Sequence, residues 1–139
     1  MADEKKPTKN LWGELPTAEA FKTPKVVLQE QADILYESTG GRLQGRIDTN
    51  TMAKNIVHEF FVVAPFVNHY SVNILDVYHD ALAYPVKVKN NMTTVRGLID
   101  LASSEYTCNN VEELEKTLAD VLQSKAVRNV IMSLLAQSQ

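Results

Sequence analysis

The sequence predicts an α+β fold: an antiparallel meander sheet of four to five strands, with an N-terminal helix and two C-terminal helices packed on one face. Apolar residues recur every three to four positions before residue 40 and after residue 110, which is the period of an amphipathic helix. Between residues 42 and 89 the period falls to two, and β-branched and aromatic residues accumulate, as in half-buried strands. Strands that follow one another along a chain usually lie side by side, which favours a meander.

The first 22 residues are expected to form a partly mobile arm ahead of a single α+β domain over residues 23–139. This arm contains Trp12, the only tryptophan, with Leu11 and Leu15 close to it. Large apolar side chains are costly to leave in water, so we expect these three residues to pin the arm onto the core. The alternative is an arm that reaches a neighbouring subunit.

The first helix is predicted over residues 24–39. Thr23 can cap its free amides, and Pro24 suits the first helical position because no N–H is needed there. Gly40 and Gly41 should end the helix, since glycine adopts the left-handed conformation of a helix end without penalty.

Four strands are predicted in the middle of the chain, at residues 42–48, 56–63, 69–78 and 84–89. Turn-forming residues at 48–51 separate the first two. The second and third should pair as an antiparallel hairpin.

Residues 90–107 fit two structures. Val95, Leu98 and Ala102 match a helical stripe, but Gly97 weakens it, so we favour a strand over residues 97–102 that pairs with the strand before it. Two helices then end the chain. Asn109 or Asn110 should cap the first of them, and Ser124 the second.

Composition limits the function classes. Cys108 is the only cysteine, so no intrachain disulfide can form, which is typical of a cytoplasmic protein. Neither a secretory signal nor an apolar run long enough for a membrane span is expected. The net charge of −3 gives no general attraction to nucleic acids.

The common catalytic and metal-binding motifs do not occur, so the sequence predicts no metal and no cofactor and favours a protein without enzymatic activity. The glycine-rich residues 40–45 lead into a strand, whereas a phosphate loop opens a helix. Cys108 precedes a helix, where a thiol can become acidic, but such a cysteine more often simply packs.

The histidines are the first place to seek catalysis. If a three-residue loop closes the hairpin, His58 faces Asp76, and these two residues are the catalytic candidates for a small hydrolase or nuclease. If the loop has two or four residues, His58 faces Leu75. His69 and His79 lie roughly 30 Å apart along one strand, so the three histidines cannot share one metal.

The predicted sheet has an apolar hairpin flanked by basic residues. Phe60 and Val62 point to one face and Phe61 and Val63 to the other, and helices can cover only one face. We therefore expect a small protein-interaction or regulatory domain that self-associates through its sheet as a homodimer, or binds another protein. The interface candidates are Phe60, Phe61, Val63 and Trp12. Basic residues offer the alternative of a nucleic-acid-binding face, which the net charge makes the weakest hypothesis. Its candidates are Arg42, Arg46, Lys87 and Lys89.

Overall fold

The computed structural model describes residues 8–92, 94–95, 98–99 and 105–139, and it confirms the predicted α+β fold. Its helices are α1 (Pro24–Ser38), α2 (Val111–Leu122) and α3 (Lys125–Gln137). Its strands are β1 (Gln44–Met52), β2 (Asn55–Ala64), β3 (Tyr70–His79), β4 (Val86–Asn90), β5 (Thr94–Val95), β6 (Leu98–Ile99) and β7 (Glu105–Cys108). The main sheet is an antiparallel meander in the order β1-β2-β3-β4-β7, and β5 pairs separately with β6.

The helix ends lie close to where local capping places them. The Thr23 hydroxyl accepts a hydrogen bond from the Val26 amide, with Pro24 at the start of α1. The Asn110 side chain accepts one from the Glu113 amide, and Ser124 caps α3 in the same way. After α1, Gly40 and Gly41 have φ values of 61° and 82°, in the left-handed region.

The turn predicted at residues 48–51 is wrong, because β1 continues to Met52 and the chain reverses at residues 53–54. The polar side chains of this stretch find partners across the sheet instead. Asn50 donates a hydrogen bond to the Glu59 carboxylate, and the Thr49 hydroxyl lies 2.9 Å from a ring nitrogen of His58. Cross-strand pairing of this kind lets turn-forming residue types extend a strand.

The strand predicted over residues 97–102 lies largely outside the described residues. Its described part, Leu98–Ile99, pairs with β5. The prediction placed it beside β4 instead, and that pairing is wrong. The fifth strand of the main sheet is β7, which lies beside β4. Consequently β4 is an inner strand, and it begins directly after Pro85.

All three helices pack on one face of the sheet, where the hydrophobic core lies. The buried side chains of this core include Leu28, Leu43, Phe60, Val62, Ile74, Val77, Val86, Val88, Leu114, Leu118 and Val127. Helix α1 crosses β1 so closely that a methyl group added to Gly45 would lie 2.5 Å from the Cβ of Ala32. Within the described residues, no helix has the length and apolar character needed to cross a membrane.

Candidate functional site

The sheet face opposite the helices, which we call the open face, has mixed charges. Arg46 bonds to Asp48 at 3.3 Å, and Lys87 lies 3.9 Å from Glu105. Lys89 is in register with Asp76 on one side and Glu105 on the other. The predicted basic residues on this face are thus interleaved with carboxylates, which gives no single-sign surface for a phosphate backbone.

Arg42 does not belong to the open face. It precedes β1, and it lines a cavity together with Leu135, Met132 and Arg128 of α3. The four basic residues proposed from the sequence are therefore divided between two sides of the molecule.

The proposed interface residues have different environments. Phe60 is 2% exposed and lies in the core beneath the helices, and Val63 is also buried. Phe61 is half-buried on the open face, with the Arg46 guanidinium 4.4 Å from its ring centre. Trp12 is 80% exposed, so it does not pin the arm to the core, and that expectation is wrong.

A bulge in the β2–β3 hairpin decides where the histidines lie. From Ala64↔Tyr70 to Phe61↔Asn73 the register is the one that would place His58 opposite Asp76. Ile74 is then an extra residue, since Phe60 pairs with Leu75. Beyond this bulge, His58 faces Val77, so neither register considered from the sequence occurs. Asp76 faces Glu59 instead and lies on the open face.

The same bulge brings two histidines together on the helix side of the sheet. With His58 opposite Val77, His79 is its diagonal neighbour, and the two Nε2 atoms lie 3.1 Å apart. His58 Nδ1 lies 2.9 Å from the Thr49 hydroxyl, and His79 Nδ1 lies 2.7 Å from the Asp80 backbone carbonyl. Sequence reasoning missed this pair because the bulge has no composition signal.

The hydrogen bonds of the histidine pair assign its protons. The Asp80 carbonyl can only accept, so His79 Nδ1 carries a proton and, in a neutral ring, His79 Nε2 is an acceptor. His58 Nε2 must then donate to His79, and His58 Nδ1 accepts from the Thr49 hydroxyl. Burial lowers the pKa of His58 to about 4, and the charges of Lys25 and of His79 in its protonated form act in the same direction. The folded protein thus holds a neutral, buried His58.

This chain of hydrogen bonds could pass a proton, but it is not a metal centre of the usual kind. Among the described residues, no group of three His, Cys, Asp or Glu side chains could hold a metal ion. Structural and catalytic zinc sites use at least three protein ligands.

Cys108 occupies a site unlike that of a reactive thiol. It is fully buried, its Sγ donates to the Thr117 hydroxyl at 3.3 Å, and burial raises its pKa. A higher pKa lowers the thiolate fraction, the opposite of activation.

The arm, here residues 8–22, displays apolar side chains to solvent. The Asn10 side chain accepts a hydrogen bond from the Trp12 amide and donates one to the Gly13 carbonyl, which closes a local turn. Leu11, Trp12 and Leu15 remain 87%, 80% and 61% exposed. The arm joins the body near Lys22, which bonds to Glu30 and Glu115.

An apolar groove separates α1 from α2 and α3. Its volume is about 220 Å³. The apolar side chains that line it include Ile34, Leu35, Phe60, Leu122, Val127 and Ile131. The cavity that contains Arg42 and Arg128 shares Leu122 and Ile131 with this groove, so the two lie side by side.

Comparisons with protein-family models, with curated proteins and with solved structures found no match.

Proposed function

We propose that this chain is a protein-interaction domain that forms homodimers. The exposed Trp12 carries the proposal. A tryptophan buries at least about 150 Å² when it packs, and at about 25 cal/mol per Å² this contributes about 4 kcal/mol per copy before the costs of association. Two-fold homodimers are the commonest protein oligomers, and tryptophan is enriched at the residues that dominate binding energy.

The structure changes which surface we favour for this association. On the open face, Phe61 is shielded by Arg46, and carboxylates alternate with basic side chains. The arm is different, since its large apolar groups have no such cover. We therefore expect the main contact of the dimer to involve the arm rather than the sheet.

Sedimentation velocity over a wide concentration range tests this proposal. The wild-type chain should form a dimer, and Trp12→Ser should weaken it about tenfold or more, as expected for a central aromatic anchor. Phe61→Asp tests the sheet surface in the same assay, and Leu82→Ala is a matched control because Leu82 is 69% exposed outside the arm. A wild-type chain that stays monomeric at every concentration would refute the proposal.

A hydrolase is the second candidate, and it rests on one observation. The exposed Thr49 hydroxyl donates to His58, which in turn donates to His79. A hydroxyl, a histidine base and a group that orients the histidine form the arrangement that activates a nucleophile. Incubation with a fluorophosphonate probe, followed by mass spectrometry, should then label Thr49 in the wild type and not in His58→Gln. Equal absence of label in both proteins would reject this candidate. It ranks second because His58 is only 4% exposed.

A further inference from the structure

We propose that the arm of one copy docks into the groove between α1 and α3 of a second copy, with Trp12 as its anchor. This inference rests on the proposed homodimer and names the surfaces that form it. The two surfaces are complementary in shape, in polarity and in charge.

The groove suits a large aromatic side chain. Its floor includes Phe60, and its walls include Ile34 from α1 and Ile131 from α3. Ile34 is 53% exposed, so the groove opens to solvent along an apolar wall. A volume of about 220 Å³ leaves room for one indole ring. Concave apolar sites of this kind bind amphipathic segments through a few anchors.

Charge sets the direction of the docked arm. Glu14 lies between Trp12 and Leu15 in the sequence, and its side chain is exposed. Arg42 and Arg128 line the adjacent cavity, which shares Leu122 and Ile131 with the groove. Neither arginine forms an ion pair with any residue that the structure describes. The Arg128 Nε already donates a hydrogen bond to the Gln123 carbonyl, so with Trp12 in the groove Glu14 is expected to meet Arg42, which favours the correct register.

A second copy is the occupant because each chain carries one exposed arm and one open groove. The arm is long enough to reach its own groove, since the roughly ten residues from Trp12 to Lys22 span up to about 33 Å when extended. Nevertheless, the structure holds the arm out in solvent, with Trp12 80% exposed. Reciprocal exchange between two copies fills both grooves and gives the closed, isologous contact of a two-fold dimer.

Trp12 is the only tryptophan, and this allows a direct test with two full-length variants. Trp12→Ala keeps the groove and has no tryptophan signal. Ile34→Glu keeps the arm and places a charge in its own groove. When Trp12→Ala is titrated into Ile34→Glu, the emission of Trp12 should shift to the blue, because this arm enters the unmodified groove of the other variant. Val26→Glu, also on the exposed side of α1 but outside the groove, should dimerise as the wild type does.

A charge exchange provides a second, independent measurement. Glu14→Arg and Arg42→Glu should each weaken the dimer in sedimentation, and the double variant should regain most of the wild-type affinity. Each protein is checked by circular dichroism so that loss of folding is recognised.

The outcomes separate this inference from the proposed function. A dimer that forms equally well in Trp12→Ala and Ile34→Glu would leave self-association intact and overturn arm docking. A blue-shifted Trp12 that does not depend on wild-type concentration, with no shift on mixing the variants, would show an arm in its own groove and also overturn it. A wild-type monomer with water-exposed Trp12 at all concentrations would refute both proposals.

Discussion

Acidification should destabilise the protein through His58. His58 is only 4% exposed, and burial lowers its pKa from the ordinary value of 6.5 to about 4. Because the folded pKa lies below the unfolded one, the unfolded chain binds more protons between these two values. The stability that a neutral His58 contributes is therefore fully present above pH 6.5 and is lost as the pH falls towards 4, below which the loss levels off.

The magnitude follows from the shift. A change of about 2.5 pKa units at about 1.4 kcal/mol per unit gives about 3 kcal/mol of unfolding free energy. The charges that act on the ring are those of His79, whose Nε2 lies 3.1 Å away, and Lys25 of α1. A proton on His58 would abolish its role as acceptor for the Thr49 hydroxyl.

Urea denaturation between pH 4 and pH 7.5, followed by circular dichroism, measures this loss. Fluorescence is less suitable because Trp12 is already exposed in the folded chain. Carboxylates also titrate over part of the range, so the informative quantity is the stability difference between the wild type and His58→Gln. From pH 7.5 to pH 4, the wild type should lose about 3 kcal/mol of unfolding free energy relative to His58→Gln. His69→Gln controls for the loss of one exposed histidine. A difference that is the same at both pH values, or an NMR titration of His58 near pH 6.5, would refute the reasoning.

Three substitutions test the packing in the same denaturation assay. Gly45→Ala should lower the unfolding free energy by about 1–3 kcal/mol, because the new methyl would lie 2.7 Å from the Cα of Ala32 and force α1 away from β1; an unchanged stability would contradict this close approach. Asn73→Ala should lower the unfolding free energy by about 1–3 kcal/mol, since the Asn73 side-chain amide donates a hydrogen bond to the Phe60 carbonyl at the bulge. Hydrogen-exchange protection of β2 and β3 in this variant that equals the wild type would contradict the prediction. Thr23→Ala should lower the unfolding free energy by about 1 kcal/mol because it removes the α1 cap, whereas Thr23→Asn keeps a capping side chain and should retain the wild-type stability. If both variants lose the same stability, the cap is not the cause.

The helix boundaries could be predicted because their causes are local. Thr23 and Ser124 cap amides only three residues away, and Gly40 supplies the left-handed conformation that ends α1. Each of these signals lies within one helical turn of the feature it determines. No knowledge of the tertiary structure is needed to read them.

The sheet was predictable in order but not in detail, because its details depend on partners distant in sequence. Residues 48–51 have the composition of a turn, yet Thr49 and Asn50 bond to side chains nine positions along the chain. The bulge at Ile74 shifts β3 by one residue against β2. Since side chains alternate between faces, one extra residue moves Asp76 away from His58 and brings His79 to it.

The association hypothesis came from an apolar hairpin, and the structure shows why its location needed revision. A strand pattern identifies which residues share a face but not what the neighbouring strands place above them. Phe61 lies on the open face as expected, but Arg46 of β1 stacks on its ring, and such a contact stabilises by about 0.5–1 kcal/mol at an exposed site. The most exposed of the large apolar side chains that the structure describes are Leu11 and Trp12 of the arm, at 87% and 80%. The Asn10 side chain holds this part of the arm in a local turn, and in the proposed dimer Trp12 would leave water for the groove of a second copy.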